Sequence, residues 1–153
     1  MMTDLFDRIY LLKQSLIFSK VFTDDLRFIA ESLYEEIFYK GDHIFELNDQ
    51  GNEMFIITSG KVGISLSDNE KHTITELHTG DCFGEMNLLD GLPRSATAHA
   101  LEDTHLLCLN KSNLRGLILS YPEISLGILN SLSLKLRNTN HHTLSSSLKQ
   151  NSV

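Results

Sequence analysis

The stretch FGEMNLLDGLPRSAT, residues Phe83 to Thr97, sets a single arginine among small and apolar residues. Gly84 allows the backbone to approach a neighbour closely, and the residues that follow it, EMNLL, are long enough for one helical turn. The first N–H groups of such a turn have no intrahelical acceptor, so they favour an anion. Arg94 follows Pro93, whose fixed φ gives the loop a defined direction, and a guanidinium can hold two phosphate oxygens at once. The stretch therefore predicts an anion site.

Two further polar residues refine this prediction. Ser95 adds a hydroxyl beside Arg94, and Glu85, when ionised, can only accept hydrogen bonds, which suits a sugar hydroxyl. Anion donors and a sugar acceptor in one loop fit a phosphorylated sugar and hence a nucleotide. The residue types alone leave an alternative open, in which Arg94 forms an ordinary surface ion pair with Glu85 or Asp90.

The composition is that of one globular domain. The chain has 153 residues, of which 41% are hydrophobic and 22% charged, and its net charge is −7. It has no Lys/Arg run, which argues against nucleic acid as a partner because that binding depends on clustered cations. No apolar run of about 18 residues appears, so we expect no membrane span. Cys82 and Cys108 form no CxxC motif and are expected to be reduced core thiols, which favours a cytoplasmic location.

The hydrophobic spacing divides the chain, residues 1–153, into successive parts of one domain. We expect N-terminal helices over about residues 4–33, strands over about 35–110, helices over about 112–142 and a polar tail to 153. Asn110 or Ser112 is expected to cap the first helix after the strands. The strand region consists of short segments separated by turns, which indicates an antiparallel sandwich or barrel. The segments are EEIFY, HIFEL, MFIIT, KVGISL, HTITEL, SATAHA and HLLCLN.

The segment FGEMNLLDGLPRSATAHA resembles the phosphate-binding cassette of the cyclic nucleotide-binding domain family. Upstream, KGDHIFELNDQGNEMFIITSGKVGI (Lys40 to Ile64) is similar to the other signature of that family, and the resemblance covers roughly residues 10 to 140. The cassette matches without a gap at Phe83, Gly84, Glu85, Leu88, Pro93, Arg94, Ser95 and Ala96.

The resemblance implies a mainly β fold, an eight-stranded antiparallel jelly-roll barrel with flanking α-helices, that binds cAMP or cGMP. By position, Arg94 and Ser95 would hold the cyclic phosphate together with backbone N–H groups near Gly84 to Asn87, and Glu85 would accept from the ribose 2′-hydroxyl. Asn87 departs from the family, which usually has a smaller residue such as Ala there. Its amide would either crowd the phosphate or give it another donor. The site residues expected on this basis are Phe83, Gly84, Glu85, Met86, Asn87, Arg94, Ser95, Thr139 and Asn140.

The helix after the strands is expected to close over the base. By the family's interval, Thr139 and Asn140 would meet the adenine edge, with Asn offering both a donor and an acceptor. Ser95 does not decide between the two bases, and we favour cAMP over cGMP. The stripe Ile128, Leu132 and Leu136 predicts either pairing of two chains or packing on the chain's own strands.

The sequence leaves open to which partner such a module would pass a signal. Only 13 residues follow Asn140, too few for a DNA-binding domain, so we expect a free-standing sensor or an excised regulatory domain that signals to a protein partner not identifiable from the sequence. No catalytic constellation and no cofactor are expected, which predicts a binding module and no enzyme. Two alternatives remain: a degenerate domain that binds only protein, and a cupin-like metal enzyme. The histidines available to the latter are His72, His78, His99 and His105, and they form no His-x-His.

Overall fold

The structure is a computed structural model that describes residues 3–66 and 73–151, with side chains described as far as residue 141. The helices are α1 (Leu5–Gln14), α2 (Thr23–Ser32), α3 (Glu85–Asp90), α4 (Lys111–Ser120) and α5 (Glu123–Asn151). The strands are β1 (Tyr34–Phe38), β2 (His43–Phe45), β3 (Glu53–Ser59), β4 (Val62–Ser65), β5 (Thr73–Leu77), β6 (Cys82–Phe83), β7 (Thr97–Ala100) and β8 (Thr104–Asn110).

The strands form two antiparallel sheets. The first has the order β1-β8-β3-β6 and the second the order β2-β7-β4-β5. The predicted mainly β fold with flanking helices is confirmed, but its closed barrel is wrong for the described residues, because no ladder joins the two sheets. One edge strand of each sheet is short, β2 with three residues and β6 with two, which leaves little backbone there through which the two sheets could pair.

Alternation along the central strands divides the core into two layers. Phe55 and Ile57 of β3 lie between the sheets, whereas Met54 and Ile56 face the helices. Strand β8 behaves in the same way, so the first sheet is covered on one face by helices and on the other by the second sheet. Consecutive strand side chains point to opposite faces, and a strand buried on both faces is apolar throughout, which explains the continuous run MFII.

The helix after the strands begins as the sequence predicts. Asn110 caps α4, and its side chain accepts from the backbone N–H of Asn113 at 2.7 Å. Helix α5 then packs on the N-terminal segment through Gly127, where a Cβ would lie 2.7 Å from the Cα of Val21. The hydroxyl of Ser131 accepts from the backbone N–H of Lys20 at 2.9 Å. The first half of α5 is therefore fixed to the domain.

The end of α5 differs from the expectation. The sequence predicts a helix to about residue 142 and a polar tail, whereas α5 continues to Asn151. The residues after Gly127 contain no further Gly and no Pro, so the Ser-rich composition alone does not stop the helix. Within the described ranges no single helix is both long and apolar enough to cross a membrane. Only α4 and α5 counted together, with a bend of 116° between them, reach that length and composition.

Candidate functional site

A cavity of about 180 Å³ lies where the second sheet meets the segment 83–96. Five expected site residues line it: Phe83, Gly84, Asn87, Arg94 and Ser95. Helix α3 follows Gly84 directly, as the sequence predicts, and its first N–H groups have no intrahelical acceptor. These residues of the segment 83–96 thus meet at one cavity.

Arg94 is the buried cation of this cavity, with an exposed fraction of only 3%. Its Nη1 donates to the carbonyl oxygen of Glu53 at 3.0 Å and to Oδ1 of Asn87 at 3.2 Å. Its Nε is also buried and has no hydrogen-bond partner among the described residues. The surface ion pair with Glu85 or Asp90, which the residue types left open, is not formed. A buried donor without a partner is costly and calls for a ligand or a water.

The main chain and two aromatic rings fix the position of Arg94. Its N–H donates to the carbonyl of Asp49 at 2.7 Å, and its own carbonyl accepts from the N–H of Asn48 at 2.8 Å. The guanidinium carbon lies 4.1 Å from the ring centroid of Phe45 and 5.7 Å from that of Phe55. Burial lowers the pKa of the guanidinium, and the nearby acids oppose that shift. An arginine nevertheless stays protonated at neutral pH, so the cavity keeps its positive charge.

Two glycines make room for the guanidinium. Gly84 has a φ of 80°, and a Cβ there would lie 2.8 Å from Nη1 of Arg94 and 2.8 Å from the carbonyl oxygen of Glu53. A Cβ on Gly51 would lie 2.7 Å from Nδ2 of Asn87 and 2.9 Å from Nε of Arg94. The close approach expected at Gly84 is confirmed, whereas the equivalent role of Gly51 was not predicted.

Glu85 is the first residue of α3, and Oε2 of its carboxylate is buried without a partner among the described residues. Burial raises the pKa of this carboxyl, and a hydrogen bond to its own backbone amide acts in the opposite direction. Glu85 does not itself line the cavity of Arg94. The buried Oε2 beside that cavity is suited to accept a hydrogen bond from a hydroxyl.

Asn87 has a definite orientation. Its Nδ2 donates to the carbonyl of Leu92 at 2.6 Å while its Oδ1 accepts from Arg94. Because Arg94 can only donate and a carbonyl can only accept, the two amide atoms cannot be exchanged. One N–H of the added donor that the sequence allowed is therefore used by the loop, and an acceptor faces the guanidinium.

The remaining expected residues do not line the cavity. Met86 is absent from the cavity wall and is 50% exposed. Thr139 and Asn140 lie on an exposed part of α5 and are also absent from the cavity wall. The apolar stripe on α5 divides as well, since Ile128 is buried in the chain's own core and Leu132 packs against that core, whereas Leu136 is 61% exposed.

The structure adds cavity residues that were not among the expected site residues. Phe45, Ile64 and Ala96 complete the wall, and the backbone of Glu53 supplies an acceptor for Arg94. The alternation of side chains along a strand could have placed Phe45 and Ile64 on the inner face of the second sheet. A backbone acceptor carries no residue-type signal, so its role could not have been read from the sequence.

Another cavity, of about 270 Å³, lies between α3 and α4. It has an apolar floor that includes Leu88 and Leu114, and its two cations, Lys111 and Arg115, are exposed. A charged ligand gains less there than beside the desolvated guanidinium of Arg94. The smaller cavity is therefore the better candidate for an anion.

The metal-enzyme alternative gains no support from the described side chains, which contain no group of three or more His, Cys, Asp or Glu able to hold a metal ion. His72 lies outside the described residues. Cys82 and Cys108 are both free thiols, as expected, and burial raises the pKa of each.

Comparison with known proteins agrees with this geometry. Residues 35–121 match the family model of the cyclic nucleotide-binding domain. The chain is 36% identical over 107 residues to a cAMP-dependent protein kinase regulatory subunit of Debaryomyces hansenii, covering 70% of this chain and 23% of that protein. It is 30% identical over 128 residues to a CRP-like cAMP-activated global transcriptional regulator of Mycobacterium tuberculosis, covering 82% of this chain and 57% of that protein.

Among solved structures, the N-terminal domain of a transcriptional regulator from Streptomyces coelicolor superimposes with a TM-score of 0.77 at 27% sequence identity. The similarity covers 86% of this chain and 95% of that one. The fold and the cavity are those of a ligand-binding domain that also occurs in proteins named as kinase subunits and transcription regulators. The chain belongs to the cyclic nucleotide-binding domain family. It spans only 23% and 57% of the two relatives named above.

Proposed function

We propose that the chain is a sensor or regulatory domain that binds one cyclic nucleotide, with cAMP favoured over cGMP, through the cavity of Arg94. The observation that carries the proposal is the buried Nε of Arg94, which has no partner among the described residues. A cyclic phosphate supplies the acceptor oxygens that this donor lacks, and it does so with a charge opposite to that of the guanidinium.

The roles of the other residues follow from their positions. Ser95 lies exposed at the cavity wall, where its hydroxyl can donate to a phosphate oxygen, as can backbone N–H groups between Gly84 and Asn87. The buried Oε2 of Glu85 is suited to accept from the ribose 2′-hydroxyl. Phe83 and Met86 flank these groups in the chain. The strand order of the two sheets supports a jelly-roll arrangement of the domain.

The preference for cAMP is supported by the relatives, because both the kinase subunit and the transcription regulator carry cAMP in their names. Displacement of bound cAMP by cGMP at a lower concentration than by cAMP itself would reverse the preference.

Titration calorimetry of the chain with cAMP and with cGMP tests the proposed function. We expect heat with a stoichiometry of one nucleotide per chain. Absence of heat with both nucleotides at high protein concentration would overturn it and would favour a degenerate domain that binds only protein.

Gly51→Ala should weaken cAMP binding by roughly tenfold and lower the free energy of unfolding by about 1–3 kcal/mol, the usual cost of overpacking. The added methyl displaces both Asn87 and Arg94. Gly116→Ala is the matched control, because a Cβ there meets no atom within 4 Å. Calorimetry and thermal unfolding measure the two effects, and equal binding by the Gly51 variant, the Gly116 variant and the unaltered chain would show that Gly51 does not hold Arg94 in its binding position.

We further propose that α5 acts as a lid over the base and carries the signal to a partner through its position. Thr139 and Asn140 are exposed on its outer half, and both would meet the adenine edge if the helix closes. Ligand and helix position would then be linked through differential affinity for open and closed states.

Deletion of all residues after Leu136 should weaken cAMP binding severalfold and reduce its preference over cGMP. The residues that fix α5 to the core, including Ile124 and Ile128, are retained, so the truncated chain should remain folded. Calorimetry with both nucleotides measures the change. Unaltered affinity and selectivity would mean that the outer half of α5 is no lid.

Two chains are proposed to pair through α5. Ile128 and Leu132 are covered by the chain's own core, so the pairing face must be another one: Leu126, Leu129 and Leu136, at 52%, 59% and 61% exposure, lie on one side of the helix. Light scattering should give the mass of a dimer, and Leu129→Glu with Leu136→Glu should convert it to a monomer. A monomer mass for the unaltered chain, with and without cAMP, would exclude the pairing.

The proposed role is binding without catalysis, in line with a family of regulatory domains. A cytoplasmic location stays a prediction from the sequence.

A further inference from the structure

Asn87 presents an acceptor to the cation that the proposed function assigns to the phosphate. Both N–H groups of Arg94 Nη1 are engaged within the protein, one by the carbonyl of Glu53 at 3.0 Å and the other by Oδ1 of Asn87 at 3.2 Å. Only the second of these acceptors is a side chain. The residue at position 87 therefore decides how many N–H groups of Arg94 remain for a ligand.

We propose that Asn87 is an affinity-setting residue that competes with the cyclic phosphate for Arg94, so that the phosphate must take an Nη1 N–H from Oδ1 of Asn87 when it binds. This inference rests on the proposed function. An acceptor that stabilises the unliganded guanidinium lowers the free energy gained on binding, because only the difference between the two states counts. Asn87 would thus set the cyclic nucleotide concentration to which the domain responds.

Arg94 does not need Asn87 to hold its position. The guanidinium stacks on Phe45 at 4.1 Å and donates to the carbonyl of Glu53. The guanidinium also packs closely against Gly51 and Gly84, since a Cβ at either glycine would lie within 2.9 Å of one of its nitrogens. Removal of Asn87 should leave a fixed cation with one more N–H available.

The loop before Arg94 also keeps its anchors without Asn87. Asn87 Nδ2 donates to the carbonyl of Leu92, but Gln50 Nε2 donates to the neighbouring carbonyl of Gly91 at 2.6 Å. The backbone of Arg94 itself is held by two hydrogen bonds to residues 48 and 49. The loss of the hydrogen bond from Asn87 to Leu92 should therefore change the cAMP affinity less than the release of the guanidinium from Oδ1 of Asn87.

Calorimetry with cAMP on four proteins tests the proposal. Asn87→Ala should bind cAMP about tenfold more tightly than the unaltered chain, as expected for a hydrogen bond to a charged group. Asn87→Ser, whose hydroxyl stops one atom short of Oδ1, should also bind more tightly. Asn113→Ala removes an exposed asparagine on α4 and should leave the affinity unchanged.

The outcomes separate this inference from the proposed function. Equal or weaker binding by both Asn87 variants, with binding retained by the unaltered chain, would overturn the inference alone. Absence of binding by all four proteins would overturn both. Binding by Asn87→Ala but not by the unaltered chain would support the inference in its strongest form.

A measurement on the unaltered chain covers the case in which the variants do not fold. The side-chain amide resonances of Asn87 should shift in NMR spectra when the protein is saturated with cAMP, because Oδ1 then loses its contact with Arg94. Unchanged resonances at saturation would contradict the competition.

Discussion

Arg94→Ala should weaken cAMP binding by roughly tens- to thousands-fold. Removing one partner of a buried charge-assisted contact costs about 2–5 kcal/mol, and each decade of affinity corresponds to about 1.4 kcal/mol. The effect is expected to be at the upper end for this chain because Arg94 is 3% exposed and its charge acts in a desolvated cavity. Titration calorimetry measures the loss.

Two controls make the Arg94 result specific. Arg94→Lys keeps the positive charge but loses the planar fork, so it should bind more weakly than the unaltered chain and more tightly than the alanine variant. Arg115→Ala removes an exposed arginine on α4 and should leave the affinity unchanged. Thermal unfolding should show a folded protein in each case. Full affinity in a folded Arg94→Ala protein would exclude this arginine from the site.

Glu85→Ala should weaken cAMP binding by roughly 10- to 100-fold. A hydrogen bond to a charged group contributes about 1.5–3 kcal/mol, and the buried Oε2 has no partner among the described residues that could replace the ribose hydroxyl. Glu85→Gln keeps the shape and one acceptor and should retain part of the affinity. Equal binding by the alanine variant and the unaltered chain would show that this carboxylate does not touch the ligand.

The same carboxyl should make binding pH-dependent. Burial raises its pKa in the free protein, and the ionised form is the better acceptor, so cAMP affinity should fall as the pH falls through that raised pKa. The stability of the free protein should change in the opposite direction. Because the folded-state pKa of this carboxyl is raised, the free energy of unfolding should fall as the pH rises from the unfolded-state pKa to the folded-state pKa.

Glu85→Gln provides the control for both trends. It should abolish this part of the pH dependence of binding, and at neutral pH it should unfold at a temperature no lower than that of the unaltered chain. Calorimetry and thermal unfolding between pH 4 and pH 8 compare the two proteins. A parallel pH dependence in the glutamine variant would assign the titration to another group.

The local structure of the cassette could be predicted from the sequence because it depends on neighbours in the chain. Helix α3 follows Gly84 directly, and Asn110 caps α4, as their residue types indicate. The two-residue strand β6 was missed since its pairing with β3 is set by a distant partner, as for Phe55 and Phe83, which are 28 residues apart. Short strands of this kind have no period of their own to detect.

The packing of α5 shows what the hydrophobic spacing of a helix cannot predict. Ile128, Leu132 and Leu136 share a spacing of four and were interpreted as one stripe, but only the first two meet the core. The domain is too short to cover the third, and a helical period contains no information on the size of the surface it packs against. The hydrogen-bond partners of Asn87 could not be predicted from the sequence either, because they depend on the path of the loop through Leu92.

A crystal structure of the chain with cAMP is the most direct measurement of the central claim, that the cyclic phosphate binds at Arg94. The cyclic phosphate is expected in the cavity beside Phe45 and Gly84, with an oxygen about 3 Å from Nε of Arg94 and the ribose 2′-hydroxyl at Glu85. A nucleotide bound in another cavity, such as that between α3 and α4, with Nε of Arg94 still without a phosphate oxygen, would contradict it.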